Sequence, residues 1–309
     1  MPTARLRFTW RRRSWRIPPP AMFRHPAIPV TASRRPGGLR VGAVQYLNSR
    51  PLVHGLSAVG LDVRYDLPSR LADRLADGGL DVALIPAVEV FRAADYRIVS
   101  DACIGCRGPV MSVKLFFRTA PERVATLAVD EGSRTSATLA RILLAERHGT
   151  HPRIETLPIG AGLADTAADA VLLIGDRAIG PAGGPQGGGS FQLVWDLGDE
   201  WCRWTGLPFV FAVWAAPARV DVAAVAPLLS RARDSGVANL ASIAAAEASA
   251  HGLTLPQCLG YLRDNLHFHL GPMEHEALRL FRDKADALGL ACRPQRSGPR
   301  PIVVSGGAA

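Results

Sequence analysis

Residues 41–52 read Val-Gly-Ala-Val-Gln-Tyr-Leu-Asn-Ser-Arg-Pro-Leu, and this stretch predicts the first strand-and-helix unit of the fold. Its first four residues are apolar and predict a short buried strand. Asn48 and Ser49 follow the strand, and Pro51 stands in the first turn of a predicted helix. In open α/β sheets, ligands bind at the carboxyl ends of strands, next to helix N-termini. Asn48 and Ser49 are therefore candidate ligand contacts, although the same residue types also cap helices.

The pattern of strand and helix repeats along the next 40 residues. Strands are predicted over 61–65 and 81–86, and helices after Ser69 and over 88–94. This alternation is typical of a parallel α/β unit with right-handed crossovers. A second α/β block follows, and from residue 220 the pattern becomes helical, with helices predicted over 222–233, 237–250, 255–266 and from Pro272.

Two further groups of polar residues stand at strand ends. A glycine-bearing turn places Ser112 at the start of a strand, where it either hydrogen-bonds the turn or meets a ligand. After a strand over 127–129, Gly132, Ser133, Thr135 and Ser136 precede a strong helix. A glycine and several hydroxyls at a helix start predict an anion site, and without a GxxxxGK motif a carboxylate fits better than a triphosphate. Helix capping by Ser133 or Thr135 is the alternative interpretation.

The order of the blocks predicts two lobes with a cleft between them. The chain enters the second block near 118–126 and returns near 208–214, which gives two connections and the layout of a hinged ligand-binding protein. We assign residues 39–120 and 211–290 to lobe 1 and 121–210 to lobe 2. Residues 1–38 and 291–309 are predicted to be tails. The cleft would bring Asn48, Ser112 and the helix start at 132–136 together.

The charge distribution argues against a nucleic-acid partner. Nine of the 36 basic residues are arginines within residues 1–39, which contain no acid, and the other 27 equal the 27 acidic residues of the body. A body without excess charge lacks the electrostatic signature of nucleic-acid binding. The arginine-rich segment has no apolar core of an export signal. No run of 18 apolar residues exists, so we expect no membrane span.

Cysteine and histidine spacing predicts no metal site. The five cysteines are odd in number and irregularly spaced, which suits a reducing compartment. Cys103 and Cys106 form a CxxC pair without the second pair that a structural zinc site needs. His267 and His269 would point to opposite sides of an extended chain, with no nearby carboxylate to complete a site.

Several motifs, taken in order, resemble the chorismate dehydratase family from about residue 39 to about residue 290. They are Gln45–Ser49, Asp81–Pro86, Gly108–Val113, Gly175–Ala178, and Asp196–Trp201 with Leu207–Ala212. The resemblance implies the α/β, two-lobed fold of type II periplasmic binding proteins, with mixed sheets and C-terminal helices. It also implies a cytoplasmic enzyme without metal or organic cofactor, at the first step of the futalosine route to menaquinone.

The resemblance also implies the reaction and its residues. Chorismate would lose water to give 3-[(1-carboxyvinyl)oxy]benzoate. The family's active-site asparagine and serine match Asn48 and Ser112, which become the catalytic candidates. The substrate-binding candidates are Ser49, Gly132, Ser133, Thr135, Ser136 and Asp176.

Two questions stay open in the sequence. Neither Asn48 nor Ser112 is a strong base at neutral pH, so the substrate's own side-chain carboxylate is one candidate for the proton acceptor. A non-catalytic solute-binding protein would have the same fold, as would the sister enzyme 1,4-dihydroxy-6-naphthoate synthase. The Tyr-Leu-Asn-Ser and Pro-Val-Met-Ser motifs favour the dehydratase.

Overall fold

A computed structural model describes residues 38–93, 95–179 and 191–291. The predicted tails lie outside these ranges, apart from Gly38 and Ala291 at their edges, and so does the glycine-rich loop over 181–190. The described chain contains two β-sheets with helices packed around them.

The first sheet has six strands in the order β11-β4-β10-β3-β1-β2. Their ranges are β1 Val41–Val44, β2 Val63–Asp66, β3 Val82–Pro86, β4 Tyr96–Cys106, β10 Phe209–Pro217 and β11 His267–His269. β1 runs parallel to β2 and β3, whereas β10 is antiparallel to β3 and β4. All nine residues of β10 are buried, as expected for a central strand covered on both faces.

The second sheet has five strands in the order β7-β6-β8-β5-β9. Their ranges are β5 Val113–Phe117, β6 Thr126–Asp130, β7 Arg153–Leu157, β8 Ala170–Ile174 and β9 Leu193–Asp196. β6 runs parallel to β7 and β8, and β5 is antiparallel to β8 and β9. Both sheets are therefore mixed, and the predicted α/β class is confirmed.

Nine α-helices are found among the described residues. They are α1 Pro68–Ala76, α2 Val88–Arg92, α3 Thr135–His148, α4 Asp176–Ile179, α5 Leu197–Thr205, α6 Ala226–Ala238, α7 Leu240–Glu247, α8 Leu255–Gly260 and α9 Pro272–Ala287. None of these helices has both the length and the apolar composition needed to cross a bilayer.

Three local predictions differ from the structure. The stretch after β1 forms a 3₁₀ segment, Leu47–Val53, because Pro51 lies inside it and cannot donate the next α-helical hydrogen bond. The predicted helix over 255–266 is α8 followed by a single π-helical turn, Tyr261–Asn265. The apolar pattern predicts only a short strand over 96–100, but β4 continues to Cys106, so Cys103 and Cys106 are buried residues of a strand, with no helix start between them.

The connections between the sheets position the candidate site. The chain leaves the first sheet after β4 and enters the second at β5, and it returns after α5 to β10. Val113–Phe117 pairs with β8 and β9, so this strand belongs to the second sheet although it lies within the range predicted for lobe 1. Residues 107–112 are therefore one of the two links between the sheets.

Candidate active site

A pocket lies where the two sheets face each other. It encloses about 490 Å³ of non-atom space, part of it open to solvent. Val44 and Pro86 contribute from the ends of β1 and β3, and Ile174 contributes from the end of β8. The pocket is thus formed by the carboxyl ends of strands, as the sequence predicted for its polar residues.

Asn48 lines the pocket from the 3₁₀ segment after β1. Its Oδ1 atom is buried and has no hydrogen bond of good geometry among the described residues. Buried polar atoms in folded proteins are nearly always paired, so an unpaired one at a pocket wall indicates a place for a ligand group. Asn48 has this property, and it does not act as the cap of a helix.

Ser49 has a different environment from its neighbour. Its hydroxyl donates to the carbonyl oxygens of Val44 and Tyr46, the latter at 3.0 Å. The side chain is fully buried and does not line the pocket. The structure therefore does not bring this candidate to the site, because the hydroxyl holds the main chain of the turn.

Ser112 lines the pocket from the link that leads into β5. Its N–H donates to the carbonyl of Val110 at 2.7 Å, and Met111 between them has φ of 61°. These features define the γ-turn with positive φ, which is rare and strained for a residue other than glycine. On the other side, the carbonyl of Ser112 accepts from the N–H of Gly175 at 2.8 Å.

The loop before α3 and the first turn of α3 supply four predicted residues to the same pocket, Gly132, Ser133, Thr135 and Ser136. The first-turn N–H groups of this 14-residue helix have no partner inside the helix, and its dipole is positive there. Two other polar groups of this segment already have hydrogen-bond partners within the protein. The N–H of Gly132 donates to Asp130 Oδ1 at 2.9 Å, and Thr135 Oγ1 accepts from the N–H of Val88 at 3.2 Å.

Asp176 lies beside the pocket without lining it. Its Oδ1 accepts from the N–H of Leu47 at 3.0 Å, and its Oδ2 lies 3.2 Å from Nδ1 of His251. Burial raises the pKa of this carboxyl, and the Leu47 N–H acts against that shift. Asp176 is the first residue of α4, which follows β8 of the second sheet. Its hydrogen bond to Leu47 therefore links the second sheet to the segment that carries Asn48.

Arg134 is a pocket residue that the sequence analysis missed. Its guanidinium lies 2.7 Å from the carboxylate of Asp73 and 3.4 Å from that of Glu89. Arg134 stands between the candidates Ser133 and Thr135, so its position in the sequence offered a signal. An arginine at a helix start gave no reason, by itself, to expect a side chain turned toward the cleft.

Two tyrosines were also missed. The Tyr46 hydroxyl is buried at the pocket wall, without a hydrogen-bond partner among residues 38–93, 95–179 and 191–291. Its ring packs against Gly175 so closely that a Cβ there would come within 2.6 Å. Gly175 has φ of 62°, so the position needs glycine for two reasons. Burial is the main cause that raises the pKa of Tyr46, and the nearby negative charge of Asp130 raises it further.

Tyr261 lies behind the pocket in the π-helical turn. Its hydroxyl is fully buried beside the side chains of Ser112 and Asn48, without a hydrogen bond of good geometry. Burial raises the pKa of this phenol, and the two neighbouring side chains act against the shift. No signal in the sequence connects this residue with positions 48 and 112. π-Helical turns are, however, frequent at functional sites.

The side chains of this pocket favour binding of an anion and stabilisation by hydrogen bonds. The titratable side chains among its lining residues are Tyr46 and Arg134, and none is a carboxylate, imidazole or thiol. Among the described residues, no group of three or more His, Cys, Asp or Glu could hold a metal ion. A reaction here depends on positioned donors more than on a strong protein base.

Comparison with known proteins gives a consistent result. A family model described as menaquinone biosynthesis matches residues 39–287. A curated chorismate dehydratase from Thermus thermophilus is 33% identical over 268 residues, which cover 82% of this chain and 96% of that protein.

Solved structures share the fold. A protein from Archaeoglobus fulgidus superposes with a TM-score of 0.63 at 17% identity, over 82% of this chain and 98% of the other. The alkanesulfonate-binding protein SsuA from Xanthomonas axonopodis pv. citri gives a TM-score of 0.61 at 15% identity, over 84% of this chain and 96% of the other. The expected periplasmic-binding-protein-like architecture is therefore confirmed.

Proposed function

The chain belongs to the menaquinone biosynthesis family, and we propose that it is a chorismate dehydratase. The reaction removes water from chorismate and gives 3-[(1-carboxyvinyl)oxy]benzoate. One observation in the structure supports this proposal most strongly. Asn48 Oδ1 and the Tyr46 hydroxyl are buried at the pocket wall without hydrogen-bond partners in the described part of the chain, beside a helix start and an arginine. A dianionic substrate with a hydroxyl and an ether would satisfy these groups.

One substrate carboxylate binds at the start of α3. The first-turn N–H groups, the Thr135 and Ser136 hydroxyls and the positive end of the helix dipole favour an anion there. Arg134 adds a full positive charge at the same wall. Its present partners are Asp73, about half exposed, and the buried Glu89, so a substrate carboxylate competes with the pairing to Asp73 at lowest cost.

The elimination proceeds without a strong base from the protein. The proton on the ring carbon that carries the ether passes to the substrate's own side-chain carboxylate. The electron pair of that C–H bond becomes a ring double bond, and the neighbouring hydroxyl leaves. The proton held by the side-chain carboxyl then passes to the hydroxide, so that one water is released and the carboxylate is restored. Aromatisation provides the driving force, and no metal or organic cofactor takes part in the scheme.

Asn48 and Ser112 act on the reacting groups. They orient the enolpyruvyl ether, and the Asn48 Nδ2–H and the Ser112 O–H donate to the departing hydroxyl, where negative charge develops. Their protein surroundings are preorganised, since Asp176 holds the main chain at Leu47 and Gly175 holds the carbonyl of Ser112. Donors that are fixed before the reaction need no reorganisation in the transition state.

The proposal extends to organisation and cellular role. We place the hinge between the sheets at residues 107–112 and near 206–208, both earlier in the chain than the boundaries predicted from the sequence. The reaction opens the futalosine route to menaquinone in the cytoplasm, and the substrate is a small molecule without a nucleic-acid partner. In this scheme the lobes close on the dicarboxylate and exclude water.

Incubation of the purified chain with chorismate tests the function. Conversion is followed by the ultraviolet spectrum of the aromatic product and by its mass after chromatography, with a Ser112→Ala variant as control. We expect the product from the wild type and much less from the variant. A chain that binds chorismate without converting it would be a solute-binding protein. A chain that neither binds nor converts it would contradict the proposal and favour the sister enzyme.

A further inference from the structure

The strained turn before Ser112 is held by a carboxylate from another strand. Asp196, the last residue of β9, accepts from the N–H of Val110 with Oδ1 at 3.0 Å and from the N–H of Met111 with Oδ2 at 2.7 Å. Each oxygen thus binds one N–H of the turn, so the carboxylate fixes two successive peptide units.

The same carboxylate also begins α5. Asp196 Oδ1 accepts from the N–H of Gly198 at 3.0 Å and of Asp199 at 3.1 Å, which makes Asp196 the N-cap. Gly198 packs so tightly that a Cβ there would come within 2.8 Å of the Gly108 carbonyl oxygen. The turn that carries Ser112 and the start of α5 are therefore one rigid unit.

The strain at Met111 explains why such a unit is needed. A non-glycine residue at φ of 61° costs energy, and such conformations persist where the surroundings over-determine them. Here the surroundings are the two Asp196 bonds on one side and the Gly175 bond to Ser112 on the other. A chain without the carboxylate would relax the turn and move the Ser112 hydroxyl.

We propose that Asp196 is a positioning residue for the elimination, which acts by holding Met111 at positive φ and thereby fixing Ser112 at the pocket wall. This inference rests on the proposed function, because it takes Ser112 as a catalytic residue. Asp196 does not line the pocket and has no contact with substrate in this role. Displacement of a reacting group by about 1 Å typically costs roughly 10²-fold in rate.

Asp196→Asn tests the role, because asparagine keeps the size and loses one acceptor oxygen. We expect kcat with chorismate to fall roughly 10–100-fold while KM changes little. The control is Asp169→Asn at the far end of the second sheet, where Asp169 Oδ2 accepts from the N–H groups of Ala125 and Thr126. This control removes a similar structural carboxylate and should leave kcat unchanged.

A pair of variants at Met111 provides a test that does not alter Asp196. Glycine adopts positive φ without strain, and valine tolerates it least because it is β-branched. Met111→Val should therefore lower kcat about as much as Asp196→Asn, and Met111→Gly should retain clearly more activity. Met111→Gly should also restore part of the kcat of Asp196→Asn, which loss of a helix cap alone would not allow.

A measurement without substrate separates this inference from the proposed function. Hydrogen–deuterium exchange in the peptide covering 110–113 should become faster in Asp196→Asn and stay unchanged in Asp169→Asn. Faster exchange with no turnover of chorismate by the wild type would retain the positioning role and contradict the function. Unchanged exchange, or equal kcat for Met111→Val and Met111→Gly, would overturn the inference. If Asp196→Asn does not fold, the Met111 pair decides.

Discussion

Two strand-to-helix junctions face each other across the pocket, and they differ in which polar groups they leave unpaired. At the end of β1, Ser49 and Asp176 satisfy the main chain and leave Asn48 Oδ1 free. At the start of α3, the Thr135 hydroxyl accepts a hydrogen bond from the Val88 N–H and Ser133 Oγ accepts one from the Ala137 N–H, while Arg134 lines the pocket and is paired with Asp73 and Glu89.

This difference separates two kinds of interaction. A helix dipole and an arginine stabilise charge that is present in the bound substrate as well as in the transition state, so they contribute to affinity. A fixed side-chain amide and hydroxyl at strand ends can act on charge that develops only during the reaction, so they contribute to turnover. Changes in the two junctions should therefore affect different kinetic constants.

Ser112→Ala should show the largest effect. Ser112, like Asn48, is expected to act on charge that develops during the reaction. Loss of one preorganised donor typically costs roughly 10²–10³ in kcat. The binding of chorismate should change far less. Steady-state kinetics with titrated active protein measure both constants. A large rise in KM with normal kcat would show that Ser112 contributes to substrate binding instead of turnover.

Thr135→Ala should show a smaller effect of the opposite kind. The hydroxyl accepts from Val88 and can donate its own proton to a substrate carboxylate. Its loss should raise KM roughly tenfold and lower kcat much less, since the carboxylate is charged in the ground state. Thr135→Ser keeps the hydroxyl and serves as the control. Equal losses of kcat in both variants would contradict the assignment.

Tyr261→Phe should lower kcat by a few-fold without loss of stability. The substitution leaves the ring in place and removes the hydroxyl that lies beside the side chains of Ser112 and Asn48. The hydroxyl is buried without a good hydrogen bond, so its removal should leave Tm unchanged or slightly higher. Tyr65→Phe, at a tyrosine that is 46% exposed, is the control. A lowered Tm with normal kcat would make Tyr261 purely structural.

The pH dependence should show the smallest effect. The titratable residues that line the pocket are Tyr46 and Arg134, and burial raises the pKa of Tyr46 above its ordinary value. The phenol therefore stays protonated through neutral pH, and the arginine stays charged. We expect kcat to be nearly constant from about pH 7 to 9, where an ordinary histidine base would already be neutral. A rising limb in this range would indicate a protein base with a pKa near 8.

The sequence predicted those parts of the site that follow from strand ends. Short apolar runs identified β1 and β3, and polar residues directly after strands identified Asn48 and the loop before α3, which the structure brings to one pocket. Local patterns sufficed because the carboxyl ends of parallel strands share one edge of a sheet. Ser112 stands instead at the start of an antiparallel strand, which brings it to the same edge.

Other parts depend on contacts between distant segments. Tyr261 reaches Asn48 from 213 positions further along the chain, as the numbering shows. The membership of β5 in the second sheet comes from its pairing with β8, which alternation of apolar residues cannot reveal. Serine is a common ligand contact, so the residue type alone does not distinguish that role for Ser49 from hydrogen bonding within the turn. The observed bonds depend on where the carbonyls of Val44 and Tyr46 point.

Asn48→Ala, measured beside Ser49→Ala, tests the central claim most directly. These neighbours differ in that Asn48 faces the pocket with an unpaired oxygen and Ser49 bonds only to main chain. We expect Asn48→Ala to lower kcat with chorismate roughly 10²–10³-fold at nearly unchanged affinity and Tm. Ser49→Ala should lower Tm more and kcat less. Near-normal kcat in Asn48→Ala would contradict the account.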